Sequence, residues 1–511
     1  MIWKLVGIGL YLAILVGIGI AASRRMKDMR DYFAAGKSLG FLSVAFSARA
    51  TGESAWLLLG LTGMGAAIGL KAFWVVLGEV LGVGIAWLFM SRRFHRLTQR
   101  YDSITVPDYL ESRFRDRSQA IRKVAALALV IFVTVYVSAQ IDATGKAFED
   151  FLSWNYYVGI AVGFAVVLAY TTSGGFLAVV WSDVFQGFLM VIGLAVLPIA
   201  ALIHIGGWGA VTAKLNSIDP YLMTWTGEQG LSVLGVATIL SLALIGLGFL
   251  GSPQIFVRFL SLKDESEITK GTATAITWTI IADSGAVLIG MVGRAILADQ
   301  GLGGDTENVL PMLVEHIMPA FLVGLYIAIV LSATMSTVDS LLVVASSAFV
   351  RDYYQQVRHP DLADDQLLSM SRKMTLALAA VGLGVALTVA LTTPDRTVFW
   401  FVIFGWNGIS ATFCPTIILS LAWRGMTAKG ALYAMVGGFL AVPVFQWGAP
   451  ALGGELGLFF KELSCLPPAF LVSFILGVVV SLTDRAGREA VADFAQDLQD
   501  EAADNPINTT A

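Results

Sequence analysis

The sequence has few charged residues, cysteines and histidines for its length. Charged side chains make up 14% of the 511 residues, and the formal net charge is only −4. This balance offers no basis for binding nucleic acid, which requires clustered positive charge. Cys414 and Cys465 lie far apart in or beside apolar segments, so no disulfide framework is expected. The four histidines have no metal-ligand spacing and no hydrolytic motif is present, so we do not expect an enzyme.

Long apolar segments dominate instead. Hydrophobic residues make up 57% of the chain, which is more than a soluble protein can bury. Apolar runs of roughly 18 to 25 residues, each long enough to cross a bilayer, recur between polar breaks. They centre near residues 12, 52, 81, 135, 164, 190, 245, 285, 335, 382, 410, 438 and 475. The sequence therefore predicts an all-α membrane protein of about thirteen spans, with a transmembrane domain over 1–484 and a short cytoplasmic tail over 485–511.

Basic residues are unevenly distributed between alternate loops, and this predicts the orientation. If the N-terminus is outside, most of the 33 lysines and arginines fall in inner loops or the tail, as is typical of membrane proteins. We therefore predict an outside N-terminus and a cytoplasmic C-terminus in a bacterial-type plasma (inner) membrane. The inner loops would be 23–40, 91–123, 258–271, 351–373 and 424–429.

Two predicted spans contain residues that interrupt helices. The second span, about 41–66, carries Gly52 among polar residues, and the seventh, about 231–257, carries the string GLGFLGSP. Unwound backbone within a bilayer is stable only inside protein or beside water. Because the two spans are five apart, an odd number, two groups of five spans would enter the membrane from opposite sides. This predicts inverted repeats over about 41–203 and 231–423, unless the glycines serve only in packing.

Six strings in this sequence also occur, in the same order, in a known family. They are DYFAAGKSLG, SARATGESAWLLLGLTG, TVPDYLESRF, TTSGGFLAVVWSDVFQGFLM, GLGFLGSPQIFVRF and LSATMSTVDSLLVVASSAFVRDYY. From about Asp31 to Leu482 the chain resembles the sodium/solute symporter family, and within it the sodium/proline symporter branch. The resemblance implies a leucine-transporter-type fold with a five-plus-five inverted-repeat core. It also implies sodium-coupled import of a small organic solute, proline or a related amino acid.

The resemblance implies a sodium site between the second and ninth spans. Its ligands would be the carbonyls of Ala50, Glu53 and Ala333 and the hydroxyls of Ser336 and Thr337. The residues themselves favour such a site, because two adjacent hydroxyls face an interrupted span and hard cations prefer oxygen ligands. The alternative is that both hydroxyls bond carbonyls of their own helix.

Asp183, in VWSDVFQG, matches an acidic position on the ion's exit route in this family. A carboxylate within a span is usually functional, because its burial in a bilayer is costly. The alternative is that Asp183 caps or anchors a helix at the membrane interface.

The substrate region implied by the resemblance surrounds Tyr136, which matches an aromatic residue of the proline symporters. Gln140 lies one helical turn further along the same face. Ser54, Trp56 and Asn407 would complete the cavity. The alternative is that the aromatic residues serve in packing or at the membrane interface.

Three nearby positions differ from the proline branch. Ile245 stands where that branch has a tryptophan, Phe249 where it has a tyrosine, and Gly52 where it has an aspartate. Ile245 and Phe249 remain predicted substrate-binding residues. Because two polar aromatic side chains are missing, the identity of the solute stays open.

Two further charges, Arg49 and Asp339, stand where the proline branch has small uncharged residues. An interruption at Gly52 would weaken local pairing between Arg49 and Glu53. Because the second and ninth spans are antiparallel, Arg49 and Asp339 would lie at similar depth. Buried charges are costly unless they are paired, so we predict an ion pair between Arg49 and Asp339 that helps to keep the cytoplasmic side closed. Glu53 and Asp183 are the alternative partners of Arg49.

Other functions remain open at this point. Protons could replace sodium, with Glu53 or Asp183 as the titrating group, and the solute could be a carboxylate or a sugar. A transporter-like solute sensor is a further alternative, although the tail is too short for a signalling module. The expected partners are a small-molecule solute and the lipid bilayer, with no nucleic acid and no evident obligate protein partner.

Overall fold

The computed structural model describes residues 1–24, 33–302 and 304–491. Within these ranges the chain is helical, and the only β-type contact is an isolated bridge between Leu39 and Leu262. Helices α1 to α20 are, in order, Ile2–Ser23, Phe41–Ala55, Thr62–Ile68, Phe73–Ile85, Ser91–Arg100, Val106–Phe114, Ala120–Leu152, Tyr156–Ile205, Trp208–Ile218, Val233–Ala243, Pro253–Leu260, Glu267–Ile296, Val309–Ile317, Ala320–Ser347, Asp364–Thr392, Val398–Ala422, Ala428–Pro443, Gly454–Leu463, Leu466–Thr483 and Arg485–Ala490. The predicted tail, 485–511, is described only to Val491, and its remainder lies outside the described residues.

Eleven helical ranges of the described chain are long and apolar enough to cross a membrane. One of them, Phe41–Arg100, contains two spans of opposite direction. The backbone amide of Phe41 donates to Glu267 at the start of α12, and Gly290, near the end of α12, packs against the Thr62 carbonyl. Trp87 then packs against Gly271, back near the start of α12. The chain therefore crosses alongside α12 and returns after a turn at Gly69, where φ is 57°.

Helix α8 likewise contains two segments, separated at Gly175, where φ is 56° and ψ is −164°. Its 50 residues would measure roughly 75 Å if straight, far more than a bilayer core of about 30 Å. The first segment includes the shorter apolar helix Tyr156–Ala165 and the second is the span Gly175–Ile205. With Phe41–Arg100 counted as two spans and the shorter segment that begins with Tyr156–Ala165 added, the described residues contain thirteen, in agreement with the prediction of about thirteen.

The second span is broken at Ser54 rather than at Gly52. Helix α2 has helical backbone through Glu53, and Ser54 then adopts φ 42° and ψ −165°. A π-helical turn, Trp56–Leu61, follows the break and leads into α3. The prediction of an interrupted span is confirmed, but the position was wrong by two residues. Gly52 serves a packing role instead, because a Cβ there would lie 2.7 Å from the Phe249 ring.

The seventh span is broken where GLGFLGSP predicted it. Helix α10 ends at Ala243, and the 3-10 turn Leu244–Leu250 follows. Helix α11 then begins at Pro253, a residue that suits the first turn of a helix because it has no amide to satisfy. The two broken spans face each other, since Gly52 of α2 contacts Phe249 and Ile255. Helix α14 packs along α2 on another side, and these three elements surround the middle of the protein.

Candidate ion and substrate site

Hydroxyl groups of α14 contact the carbonyl groups of α2 just before its break. Ser336 Oγ donates to the carbonyl of Ala50 at 3.0 Å and lies 3.2 Å from that of Ala333. Thr337 Oγ1 donates to the carbonyl of Thr51 at 3.0 Å. All these residues are buried. The structure thus brings together Ala50, Ala333 and Ser336 of the predicted sodium site, with Thr337 beside them.

Glu53 is placed differently from the other predicted ligands. Its carbonyl accepts from the amide of Trp56, because the reversal at Ser54 folds the next residues back towards it. Thr337 therefore reaches the carbonyl of Thr51 rather than that of Glu53. The Glu53 side chain forms an ion pair with Arg49, on the side of α2 that faces α4 and α12.

Polar side chains of α7 contact the break in α2. Gln140 Oε1 accepts from the amide of Ala55 at 3.0 Å. Ser54 Oγ lies 3.4 Å from both the Tyr136 hydroxyl and Gln140 Nε2. Ser54, Tyr136 and Gln140 are at most 1% exposed. Three predicted substrate residues thus form one closed polar group at the non-helical residue of α2.

Aromatic rings border this polar group. Trp406 of α16 lies 4.9 Å from Phe249 and 6.5 Å from Tyr136, measured between ring centroids. Its indole nitrogen donates to the carbonyl of Ile245 at 3.1 Å. Gly248 is required for this arrangement, because a Cβ there would lie 2.2 Å from the Trp406 ring. Ile245 and Phe249 therefore reach the predicted region, and they do so through Trp406, a residue we had not assigned to it.

Trp56 and Asn407 have other surroundings. The Trp56 indole donates to the Gly52 carbonyl at 3.1 Å, across the break, and its ring packs on Phe399. Asn407 Nδ2 contacts Cys465 Sγ at 3.3 Å. Asn407 also lines a cavity of about 380 Å³ to which Ser54, Tyr136 and Gln140 do not contribute. The structure therefore places Trp56 at the break and Asn407 in a separate cavity.

Asp183 lies in a buried polar centre with Arg258. The carboxylate accepts from Ser47 at 2.6 Å and from Arg258 at 3.1 Å. Arg258 also donates to Thr51 Oγ1 at 2.7 Å and to Ser340 Oγ at 2.6 Å. One guanidinium thus links the second, sixth, seventh and ninth spans. Arg258 was expected in an inner loop, although a single arginine within the apolar string QIFVRF indicates a buried functional charge.

The predicted ion pair between Arg49 and Asp339 is wrong. Arg49 pairs with Glu53 and lies 3.7 Å from Glu79 Oε2. Its guanidinium also stacks on the Phe249 ring at 4.6 Å. Because the break falls after Glu53, the i, i+4 geometry is intact, and Arg49 points away from α14. Asp339 Oδ1 accepts a hydrogen bond from the amide of Ser340, whose hydroxyl contacts Arg258.

Glu79 and Asp283 were missed by the sequence analysis. Both are fully buried, in α4 and α12, and their carboxylate oxygens lie within 4.8 Å of those of Glu53. Each is a lone acid within an apolar segment, in FWVVLGEVLG and TIIADSGAV. An intramembrane carboxylate indicates function by default, so this signal was available in both spans.

Ion pairs tie helices together at one end of the bundle, which we call the basic end because it carries the predicted inner loop 91–123, where the structure has α5, α6 and the start of α7. Arg122 at the start of α7 pairs with Asp108 at 2.6 Å, Glu111 at 3.2 Å and Asp352 at 3.1 Å. These contacts join α6, α7 and the π-helical turn Ala348–Arg358 that extends α14.

A second network lies at the opposite end of α7. Asp142 contacts Arg396 and Tyr156, and Lys146 lies 3.5 Å from Glu307. Burial raises the pKa of the Glu307 carboxyl, an effect opposed by Lys146 and by the amides of Phe399 and Val398. The two networks thus lie at opposite ends of α7, and Ser54, Tyr136 and Gln140 are buried.

Two facing broken helices, with paired hydroxyls directed at freed carbonyls, define a leucine-transporter-type secondary transporter. The model of the sodium:solute symporter family matches residues 32–438, and the chain belongs to this family. It is an integral membrane protein.

Curated relatives match along nearly the whole chain. The high-affinity proline transporter PutP of Bacillus subtilis is 35% identical, over 94% of this chain and 98% of its own. The osmoregulated proline transporter OpuE of the same organism is 31% identical, over 95% and 96%. The sodium/proline symporter of Escherichia coli is 32% identical, over 94% and 93%.

Solved structures support the fold. A Na+-coupled sialic acid symporter superimposes with a TM-score of 0.78 at 19% identity, covering 94% of this chain and 98% of its own. MhsT in complex with L-phenylalanine gives a TM-score of 0.54 at 17% identity, covering 85% and 98%. At these identities the likeness concerns the fold alone.

Proposed function

We propose that this protein imports proline or a related small amino acid together with Na+. The observation that carries the proposal is the contact between α14 and the broken α2. Ser336 and Thr337 each donate to a carbonyl just before the break, at 3.0 Å. Hydroxyl and carbonyl oxygens are the ligands that a hard monovalent cation takes in this fold. The proposed Na+ ligands are Ala50, Ala333, Ser336 and Thr337, with the Glu53 or the Thr51 carbonyl completing the set.

The solute would bind where Ser54, Tyr136 and Gln140 meet, next to the ion. Ser54 and Gln140 offer hydrogen-bonding groups, and the rings of Phe249 and Trp406 offer an apolar wall. A small zwitterion with a compact apolar body suits this combination. Two relatives, a high-affinity proline transporter and a sodium/proline symporter, support the same class of solute.

The proposed direction of transport is inward across a bacterial-type inner membrane, with the basic end in the cytoplasm. The positive-inside rule supports this orientation. Arg115 at the basic end and Leu452 at the other end are both exposed, so each can carry a single reporter cysteine. A membrane-impermeant maleimide should label the cysteine at 452 in intact cells, and the cysteine at 115 only after the cells are broken.

Uptake into proteoliposomes tests the coupling and the solute together. The purified chain would be given a Na+ gradient or a proton gradient separately, with radiolabelled proline and a panel of other amino acids, a sugar and a dicarboxylate. We expect the Na+ gradient alone to drive uptake of proline or another amino acid. Uptake that follows only the proton gradient would contradict sodium coupling. Preference for the sugar or the dicarboxylate would contradict the solute class.

A further inference from the structure

A second group of oxygen ligands lies on the other side of α2 from Ser336 and Thr337. It consists of Glu53 of α2, Glu79 of α4 and Asp283 of α12, and all three side chains are 0% exposed. One carboxylate oxygen from each lies within 4.8 Å of the other two. Oxygen ligands of a cation such as Ca2+ lie about 2.3–2.6 Å from it, and Na+ is of similar size. Two ligands of one such ion therefore lie at most about 4.6–5.2 Å apart, so the three oxygens are close enough together to bind a single ion.

The charges in this group do not balance. Three carboxylates surround one guanidinium, that of Arg49, which pairs with Glu53 and lies 3.7 Å from Glu79. Within the described residues, neither oxygen of Asp283 has a hydrogen-bond partner, and the same is true of both oxygens of Glu79. A buried carboxylate without partners is strongly unfavourable. The cluster is therefore short of positive charge, and its unsatisfied oxygens converge.

The aromatic rings around the cluster supply neither the missing positive charge nor hydrogen bonds to its carboxylates. Phe249 and Trp278 stack on the Arg49 guanidinium at 4.6 Å and 5.6 Å and so enclose the cluster on their sides. The Trp278 indole nitrogen donates elsewhere, to the carbonyl of Gly187 at 3.2 Å. A small hard cation would supply both the charge and the contacts to oxygen.

We propose that Glu53, Glu79 and Asp283 form a second Na+ site, separate from the one between α2 and α14. This inference rests on the proposed sodium-coupled function and extends it to the number of ions carried. Glu53 connects the two sites, because it lies between Ala50, a proposed ligand of the first, and the break at Ser54. The protein then couples more than one Na+ to each solute.

The number of Na+ ions bound by the purified full-length chain tests this proposal. Binding of ²²Na+ would be measured at saturation in nanodiscs, without divalent cations. Compared with the wild type, Glu79→Gln and Asp283→Asn should each bind one Na+ fewer. Thr337→Ala should keep both ions at saturation but need about three- to tenfold more Na+ to fill the site between α2 and α14. Glu79→Gln combined with Thr337→Ala should bind a single ion with that lower affinity. The Hill coefficient for Na+-dependent uptake should fall towards one in Glu79→Gln.

Glu307→Gln is the matched control. Glu307 is also a buried carboxylate, 5% exposed, but it accepts from the amides of Val398 and Phe399 at the end opposite the basic end. This variant should bind as many ions as the wild type. If either Glu79→Gln or Asp283→Asn does not fold, the other variant still tests the proposal, because the site requires both carboxylates. Glu79→Asp, which retains a carboxylate, should keep the second ion.

Two outcomes overturn different claims. If the wild type binds a single Na+ whose affinity Thr337→Ala lowers and Glu79→Gln leaves unchanged, the second site does not exist and the proposed function stands. If the wild type binds no Na+ and uptake follows protons, the proposed function itself is wrong.

Discussion

Gly52 and Phe249 are in direct contact across the two broken spans. A Cβ at position 52 would lie 2.7 Å from Cε1 of the Phe249 ring, closer than real side chains approach. Both residues differ from the proline branch, which the resemblance indicates has an aspartate and a tyrosine at these positions. The two differences thus form one local change in packing beside the proposed solute site.

Gly52→Ala should therefore impair the protein. Overpacking a well-packed site costs about 1–3 kcal/mol, and we expect a lower melting temperature and slower uptake. Phe249→Leu in the same background should restore part of both. Gly84→Ala is the control, since the nearest atom to its Cβ would be 3.8 Å away. Equal effects of the two alanines in a thermal-melt assay would show that the ring contact is not the cause.

Ser336→Ala and Thr337→Ala should each weaken coupling to Na+. Loss of one hydroxyl ligand is worth roughly 0.5–1.5 kcal/mol, so half-maximal uptake should need about three- to tenfold more Na+. Thr334→Ala is the matched control, because that hydroxyl bonds the Leu331 carbonyl of its own helix at 3.0 Å. Titration of uptake against Na+ measures the effect. An unchanged requirement in both variants would remove the first sodium site from the mechanism.

Tyr136→Phe should raise the solute concentration needed for half-maximal uptake more than it raises the Na+ requirement. The lost hydroxyl lies 3.4 Å from Ser54 Oγ, and a neutral hydrogen bond is worth roughly 1 kcal/mol. Tyr136→Ala should have a larger effect, since it also removes the ring that packs on Trp406. Tyr326→Phe, whose hydroxyl donates to Gly193 at 3.0 Å, should leave solute affinity unchanged. A parallel rise in both requirements would argue for a structural role of Tyr136.

Arg258→Ala should be more damaging than Arg258→Ala combined with Asp183→Asn. The single change leaves the Asp183 carboxylate buried without its cation, at a cost of about 3–5 kcal/mol. The double variant removes that charge as well. Thermal stability in detergent and expression level would report the difference. A double variant no more stable than the single would show that Arg258 acts through its contacts to Thr51 and Ser340 rather than through Asp183.

The two ends of the bundle should open independently of each other. Arg122→Ala removes the cation shared by Asp108, Glu111 and Asp352, so α6 should exchange its amide hydrogens faster. Asp142→Asn weakens the contact with Arg396, and the segment 393–398 should exchange faster instead. Hydrogen–deuterium exchange by mass spectrometry compares the two. Uniform acceleration along the whole chain in either variant would indicate general destabilisation.

The number of spans, the two broken spans and the residues of α14 that reach α2 could be predicted from the sequence. Each depends on a local property: the length of an apolar run, a cluster of glycine and proline, or adjacent hydroxyls. These features act within a few residues, so no knowledge of packing is needed to detect them. Tyr136, Gln140 and Ser54 were brought together by the family resemblance and by helical spacing, and the structure places them in contact.

The partners of the buried charges were decided by tertiary structure. Arg49 was assigned to Asp339 because the break was placed at Gly52, and its actual position at Ser54 left Arg49 with Glu53 on an intact helical turn. Glu79, Asp283 and Arg258 come from three other spans. The rotation of each of these helices about its own axis decides which neighbouring helix the charged side chain faces. A span can turn about its axis without changing its length or hydrophobicity, so its sequence alone does not determine which buried charge meets which.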